Sequence, residues 1–217
     1  MAARGRPRAF DRDAALDAAM ALFWRKGFSA TSVADLCTAM GVNAPSLYGA
    51  FGSKEDLYAA AIARYVESAA PQIWSDLETQ PTARGAIGSV LMASARNLPG
   101  TDRPAGCMIA LSSVGQECDS RLGALVTAAR ADGERLLVAR LSRAVAEGDL
   151  PQGLDVATVA RFYSCVQQGM SIQARDGATQ DTLEGIARAA LAAWPALTGA
   201  TEAPAGTGCV PPAPPAR

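Results

Sequence analysis

Histidine is absent from this 217-residue chain. With it goes the side chain that most often serves as a general base near neutral pH and as a metal ligand, so neither a histidine-based triad nor a zinc-hydrolase centre can be assembled. The five cysteines, at 37, 107, 118, 165 and 209, form no CxxC pair, and in a cytosolic setting they read as thiols rather than a disulfide framework. No glycine-rich phosphate loop or metal-ligand spacing appears, so no catalytic site, cofactor or metal is expected. No apolar run approaches the roughly 18 residues a membrane helix needs, so no membrane association is expected. The amino terminus MAARGRPRAF is basic but leads into no apolar stretch, so a signal peptide is not expected and the cytoplasm is. Alternating β-type patterns are missing too.

What remains is a chain of 49% hydrophobic and 19% charged residues, long enough to bury a substantial core. Its net charge of −1 argues against indiscriminate nucleic-acid binding, but the charge is unevenly placed. Residues 1–66 carry a net +2 and the remainder −3, the basic excess sitting mainly in Arg4, Arg6 and Arg8. Nucleic acid, if bound, is expected at the amino-terminal end.

The most informative stretch is TSVADLCTAMGVNAPSLYGAF, residues 31–51. Val33, Leu36, Cys37 and Met40 recur with the spacing of one helical face, and Gly41 suits the left-handed position that ends a helix. Asn43 can cap the next helix, with Pro45 in its first turn. There Ala44, Leu47, Tyr48 and Phe51 repeat the spacing before Gly52, and Ser53 can cap a fourth helix opened by Lys54. A longer helix, capped by Asp11 and ended by Gly27, precedes the pair. Two short apolar-faced helices about a glycine turn form a helix-turn-helix, whose second helix enters the DNA major groove.

With LFWRKGF before it and PSLYGAFGSKEDLY after it, residues 10–65 resemble the amino-terminal domain of TetR/AcrR-type transcriptional regulators. The resemblance implies an all-α fold: an N-terminal three-helix helix-turn-helix DNA-binding domain, then a helical ligand-binding and dimerisation domain. The expected organisation is a flexible basic arm (1–9), the helix-turn-helix domain (10–53), the effector-binding and dimerisation domain (54–197), and a disordered tail rich in Pro, Gly, Ala and Thr (198–217). The resemblance also implies that Lys54 contacts a phosphate and that Tyr48 reaches the backbone or a base edge. Thr31, Ser32, Asn43, Ala44, Ser46, Leu47 and Gly49 complete the candidate contacts on the helices. Where the family commonly has a bulky polar residue after the tyrosine, this chain has Gly49 and Ala50. With no Arg or Gln in the recognition set for paired base contacts, operator choice depends on thymine methyls, water and DNA shape. Arg4, Arg6 and Arg8, around a Gly-Arg-Pro core similar to an AT-hook, can follow the minor groove; a solvated tail is the alternative.

Beyond the fourth helix, expected to run to about residue 70 where Pro71 bends or ends it, helical segments are read near 82–98, 104–115, 119–147, 155–175 and 180–197. The family resemblance implies that the last two pair with a second subunit, forming a homodimer. Val159, Val166, Met170, Ile186, Ala190 and Trp194 are the candidate interface residues, with intramolecular core as the competing role. It further implies a small-molecule effector in the middle helices, with Trp74, Met92, Met108, Phe162 and Tyr163 as candidate walls. Cys107, read at a helix start where the helix dipole favours a thiolate, is a candidate electrophile or redox sensor, with Cys118 as its resolving partner; a small buried hydrophobe is the alternative. The Gly106-Cys107 pair and GMSIQARDGA (169–178) resemble an electrophile- and redox-sensing branch of the family. Cys37 and Cys165 fall on apolar faces and read as core. The expected function is a dimeric regulator, a repressor released from a palindromic operator in double-stranded DNA by an effector or by thiol modification. The alternatives are an architectural DNA-binding protein without an effector and a helical enzyme whose helix-turn-helix is incidental.

Overall fold

A computed structural model describes residues 10–100, 102–114 and 120–200. All regular structure among them is helical: α1 (Arg12–Lys26), α2 (Val33–Met40), α3 (Ala44–Phe51), α4 (Lys54–Ser68), α5 (Pro71–Trp74), α6 (Ala83–Asn97), α7 (Ser120–Glu147), α8 (Val156–Arg175), α9 (Gln180–Ala192) and α10 (Trp194–Thr198). None is long and apolar enough to cross a membrane. The basic arm and residues 201–217 lie outside the described residues.

The first four helices start and stop where local chemistry says they should. Asp11, Ser32, Asn43 and Ser53 each accept a backbone N–H of the following first turn, and Ser32 completes a reciprocal box with Asp35. Gly41 sits at φ 66°, a backbone conformation that costs a residue with a Cβ and so favours glycine. α4 packs on α1, and their apolar core holds Phe23, Phe28, Leu36, Leu47, Leu57, Tyr58, Ile62 and Tyr65. Within it the Phe23 and Phe28 rings meet Tyr58 edge-on at 5.0 and 5.1 Å. This core runs across the expected boundary between 53 and 54, and Met108, Ile109, Val114, Leu122 and Val126 close it from the other side.

A second core is built from α5–α10, with α9 lying against α6 and α8. α7 serves both: Leu122 and Val126 face the first, Leu137, Leu141 and Ala144 the second. The stripes assigned to a dimer interface largely belong here. Val159, Met170, Ala190 and Trp194 are buried within the chain, and Tyr163 donates to the Ala190 carbonyl at 3.3 Å. These four are intramolecular core, because a stripe at helical spacing only says that something covers it. Val166 and Ile186 are half-buried, while Ile172 is exposed and Cys165, expected in the core, faces outward.

Two segments depart from the expected helices. The reading near 180–197 breaks at Ala193, and Pro195 lies in the first turn of the short α10. More consequentially, 104–115 forms turns through residue 113 instead of a helix. Its carbonyls are spent elsewhere: Ala105 accepts from Arg175, Gly106 from the Trp24 indole, and Ile109, Ala110 and Ser112 all from Arg130. With these acceptors held by distant side chains, a helical ladder has little left to form from.

Candidate nucleic-acid interface and effector cavity

α2 and α3 present a short polar surface. Ser32, Asn43, Ser46, Tyr48 and Gly49 are exposed and Ala44 is half-buried. The Asn43 side-chain oxygen accepts the Ser46 N–H at 2.9 Å, which fixes the residue and turns its amide nitrogen to other partners. Two expected contacts are corrected. Leu47 is fully buried, since it shares the inward stripe with Phe51 and cannot face both ways. Thr31 is also fully buried and donates its hydroxyl to the Gly27 carbonyl at 2.6 Å, tying the corner between α1 and α2. Lys54 holds its ammonium 4.2 Å from the centre of the Phe28 ring, a cation–π contact at the amino end of α4. Arg12, which the sequence reading did not assign, lies over Phe51 at 4.7 Å and adds a cation beside α3. Around this surface the carboxylates are engaged. The Lys26 ammonium, then Ser32, hold Asp35 down at about 2, and Ser53, then Arg121, lower Asp56.

Behind the head lies a cavity of about 140 Å³ between α4, α5, α7, α8 and the 107–110 turn. Of the expected wall residues it includes Trp74, and the candidate sensor Cys107 also lines it. Met108 instead points into the first core, and Met92, Phe162 and Tyr163 pack on or within the second. The cavity adds polar residues that the sequence reading missed, namely Tyr65, Arg130, Ser164, Gln167 and Gln168. Gln167 carried a visible signal: it interrupts the inward stripe Val159, Tyr163, Met170, Ala174 with an amide. Burial, then the neighbouring Cys107, pushes the Tyr65 phenol well above its ordinary range, so it stays protonated.

Cys107 opens a single turn, not a helix: the Leu111 N–H reaches its carbonyl at 3.1 Å, and the Ala110 N–H lies 3.5 Å from its sulfur. The helix dipole expected to favour its thiolate is therefore missing. Cys118 lies outside the described residues. Arg103 is turned toward the Asn97 carbonyl, 2.7 Å away, and stacks loosely over Trp24.

The same turn joins cavity to head. The Trp24 indole donates to the Gly106 carbonyl at 3.0 Å, next in sequence to Cys107. Arg175, at the end of the cavity-lining α8, donates to Ala105 at 2.9 Å and to Trp24 and Arg25 at 3.0 and 3.3 Å. The carboxy end of α1 is thus held by groups bonded to the cavity wall.

Residues 15–61 match the family described as bacterial regulatory proteins, tetR family. Across 196 residues the chain is 40% identical to the HTH-type transcriptional repressor ComR of Escherichia coli K12, covering 89% of this chain and 93% of that one. The chain belongs to the TetR family. A second Escherichia coli K12 TetR-family relative, the repressor BdcR, is 39% identical over 105 residues, 48% of this chain and 53% of its own. Among solved structures, a cysteine mutant of the TetR-family regulator CifR complexed with a 26-base-pair double-strand operator superposes with a TM-score of 0.83 at 36% identity, over 88% of this chain and all of that one. As a TetR-family member the chain is a helix-turn-helix DNA-binding transcriptional regulator and not an enzyme.

Proposed function

We propose that this TetR-family chain is a homodimeric repressor that occupies a palindromic operator and leaves it when the cavity is filled or Cys107 is modified. The reading rests on one observation above others: the turn that forms a cavity wall at Cys107 also holds α1 through Gly106 and Trp24. A ligand or adduct that moves this turn must move or break its bonds to the head. Release then needs only that the ligand prefer the cavity shape of the DNA-incompetent state. The operator-bound CifR and the repressors ComR and BdcR support the direction of control.

On DNA, Ser46, Tyr48 and Gly49 face the major groove, with Asn43 and Ser32 at its edge, Lys54 on a phosphate, and Arg4, Arg6 and Arg8 tracking the minor groove. Two such heads must lie about 34–36 Å apart, one turn of DNA. The outward residues Cys165 and Ile172 with the half-buried Val166 and Ile186 supply the pairing surface. The cytoplasm is the compartment such a role requires.

The test is operator selection from a random DNA pool, with and without a thiol-reactive electrophile, repeated with Cys107→Ser. A palindrome lost on electrophile treatment only when Cys107 is present establishes thiol control. A palindrome indifferent to it assigns release to a non-covalent ligand. If no site is enriched, the chain binds DNA architecturally and the repressor reading falls.

A further inference from the structure

We propose that Arg12 grips a DNA phosphate at the carboxy end of the recognition helix α3, a contact separate from the one at Lys54. Arg12 lies outside residues 15–61, the stretch that matches the family, so the family pattern does not assign it.

Charge singles it out. Elsewhere in the head, Lys26 is paired with Asp35 at 2.9 Å and Arg64 with Asp17 at 2.7 Å. Arg12 is exposed, and its guanidinium makes no hydrogen bond or ion pair to any described residue. The neighbouring carboxylates do not serve it. Asp11 accepts the Asp13 and Ala14 N–H groups at 3.1 Å as the α1 cap, and Asp13 lies one turn before Asp17, on the face turned to Arg64.

Position singles it out again. The guanidinium lies 4.7 Å from the centre of the ring of Phe51, the last residue of α3, and Phe10 meets the same ring edge-on at 6.4 Å. Phe51 is itself buried, so the arginine rests on a fixed plate. Stacking uses the face of the planar guanidinium and leaves its N–H groups, which point outward in the plane, for an acceptor. Arg12 is also the first residue of α1. A cation is locally unfavourable at the positive end of a helix dipole, and a phosphate arriving there reverses that.

Lys54 is built the same way. It opens α4, its ammonium stands 4.2 Å from the centre of the Phe28 ring, and it makes no ion pair with a described residue. Phe28 follows the far end of α1, a helix of 15 residues and about 22 Å, so the two cations serve different phosphates. A sugar–phosphate strand divides the major groove from the minor. With α3 in one groove and Arg4, Arg6 and Arg8 in the other, Arg12 lies between them in the chain and meets that strand; this step rests on the proposed placement of the arm.

The test is the salt dependence of binding by the full chain to a labelled mixed-sequence duplex, read by fluorescence anisotropy. The logarithm of affinity falls with that of salt by about 0.9 per phosphate neutralised. Arg12→Gln should flatten the slope by about 0.9 and weaken binding about five- to tenfold at roughly 0.1 M salt, with Arg12→Met as the second variant should the first not fold. Arg12→Lys should keep the slope. Arg96→Gln, the same loss of charge at an exposed residue of α6, should leave it unchanged. Arg12→Gln combined with Lys54→Gln should flatten it by about 1.8. A slope unmoved by Arg12→Gln overturns the proposal, as does an equal change from Arg96→Gln or a failure of Arg12→Lys to restore it. A double variant no flatter than either single one overturns the separate phosphate. Because the duplex carries no operator, the result is independent of the palindrome and the effector. Repeating the series without residues 1–8 separates it from the arm: an Arg12 effect that persists supports the contact, and one that vanishes with the arm overturns it.

Discussion

The reading head and the cavity bundle are both helical and both well packed, yet they are held by different kinds of contact. In the head, caps are side chains two or three residues from the N–H they satisfy, and glycines end helices in place. Around the cavity, the decisive bonds run from Trp24, Arg130 and Arg175 to carbonyls 18 to 151 residues away in sequence. Local bonds need no distant partner, so they fix where each helix of the head starts and stops. Distant bonds to an irregular turn form only when two halves meet, so the turn reports on both.

The largest effect that would break this comparison lies at Gly106. It has φ +77°, and a Cβ there would stand 2.7 Å from the Ser171 carbonyl oxygen and 2.5 Å from a Leu111 methyl. Gly106→Val should cost about 3 kcal/mol or more by chemical denaturation, from backbone strain and overpacking together. Gly41→Ala, at φ +66° in open space, should cost only about 1 kcal/mol; equal losses would mean that the two turns are held alike. Leu47→Ala should cost about 3 kcal/mol as a cavity-forming change in the head. Tyr48→Phe should leave stability within about 0.5 kcal/mol and lower affinity for DNA, read by binding titration; an unchanged affinity would contradict its place at the groove.

Arg130→Met should cost about 2 kcal/mol, since three carbonyls lose their donor, and should speed hydrogen exchange across 105–112. Asn43→Ala should cost about 1 kcal/mol through loss of the α3 cap, with no change in the cavity turn. The smallest effect is a pH dependence. Asp35 titrates near 2 in the fold against 3.8 for a free carboxyl, so its contribution is present above about pH 4 and fades as the pH falls toward 2. Asp35→Asn should flatten the stability profile in that window; an unaltered profile would show that Lys26 and Ser32 do not hold the carboxylate in solution.

The head was legible because its information is short-range. Asp11, Ser32, Asn43, Ser53 and Gly41 stand where the expected elements begin and end, and even the error at Leu47 came from placing one stripe residue on two faces. The bundle's helices were legible as periodicity, but not what their stripes meet: Val159 and Trp194 satisfy an internal partner as readily as an external one. The 104–113 turn was not legible at all. Its apolar spacing suits a helix, and nothing nearby in sequence announces that Arg130 and Arg175 will take its carbonyls. Gln167 was the exception, an amide out of place in an apolar stripe.

The 28 residues of α7 form one unbroken helix, about 42 Å long at the usual rise per residue. It gives Leu122 to one core and Leu141 to the other. Melting either half strips one end of this shared strut, so neither half can lose its packing without weakening the other. Heating should therefore unfold head and bundle together, in one transition seen alike by Trp24 and Trp194, and the slowest-exchanging amides should sit in the middle of that helix. A head cut away at residue 69 would bare the apolar surface that Met108, Ile109, Val114, Leu122 and Val126 now cover. The DNA-reading unit is, in thermodynamic terms, on loan from the whole chain.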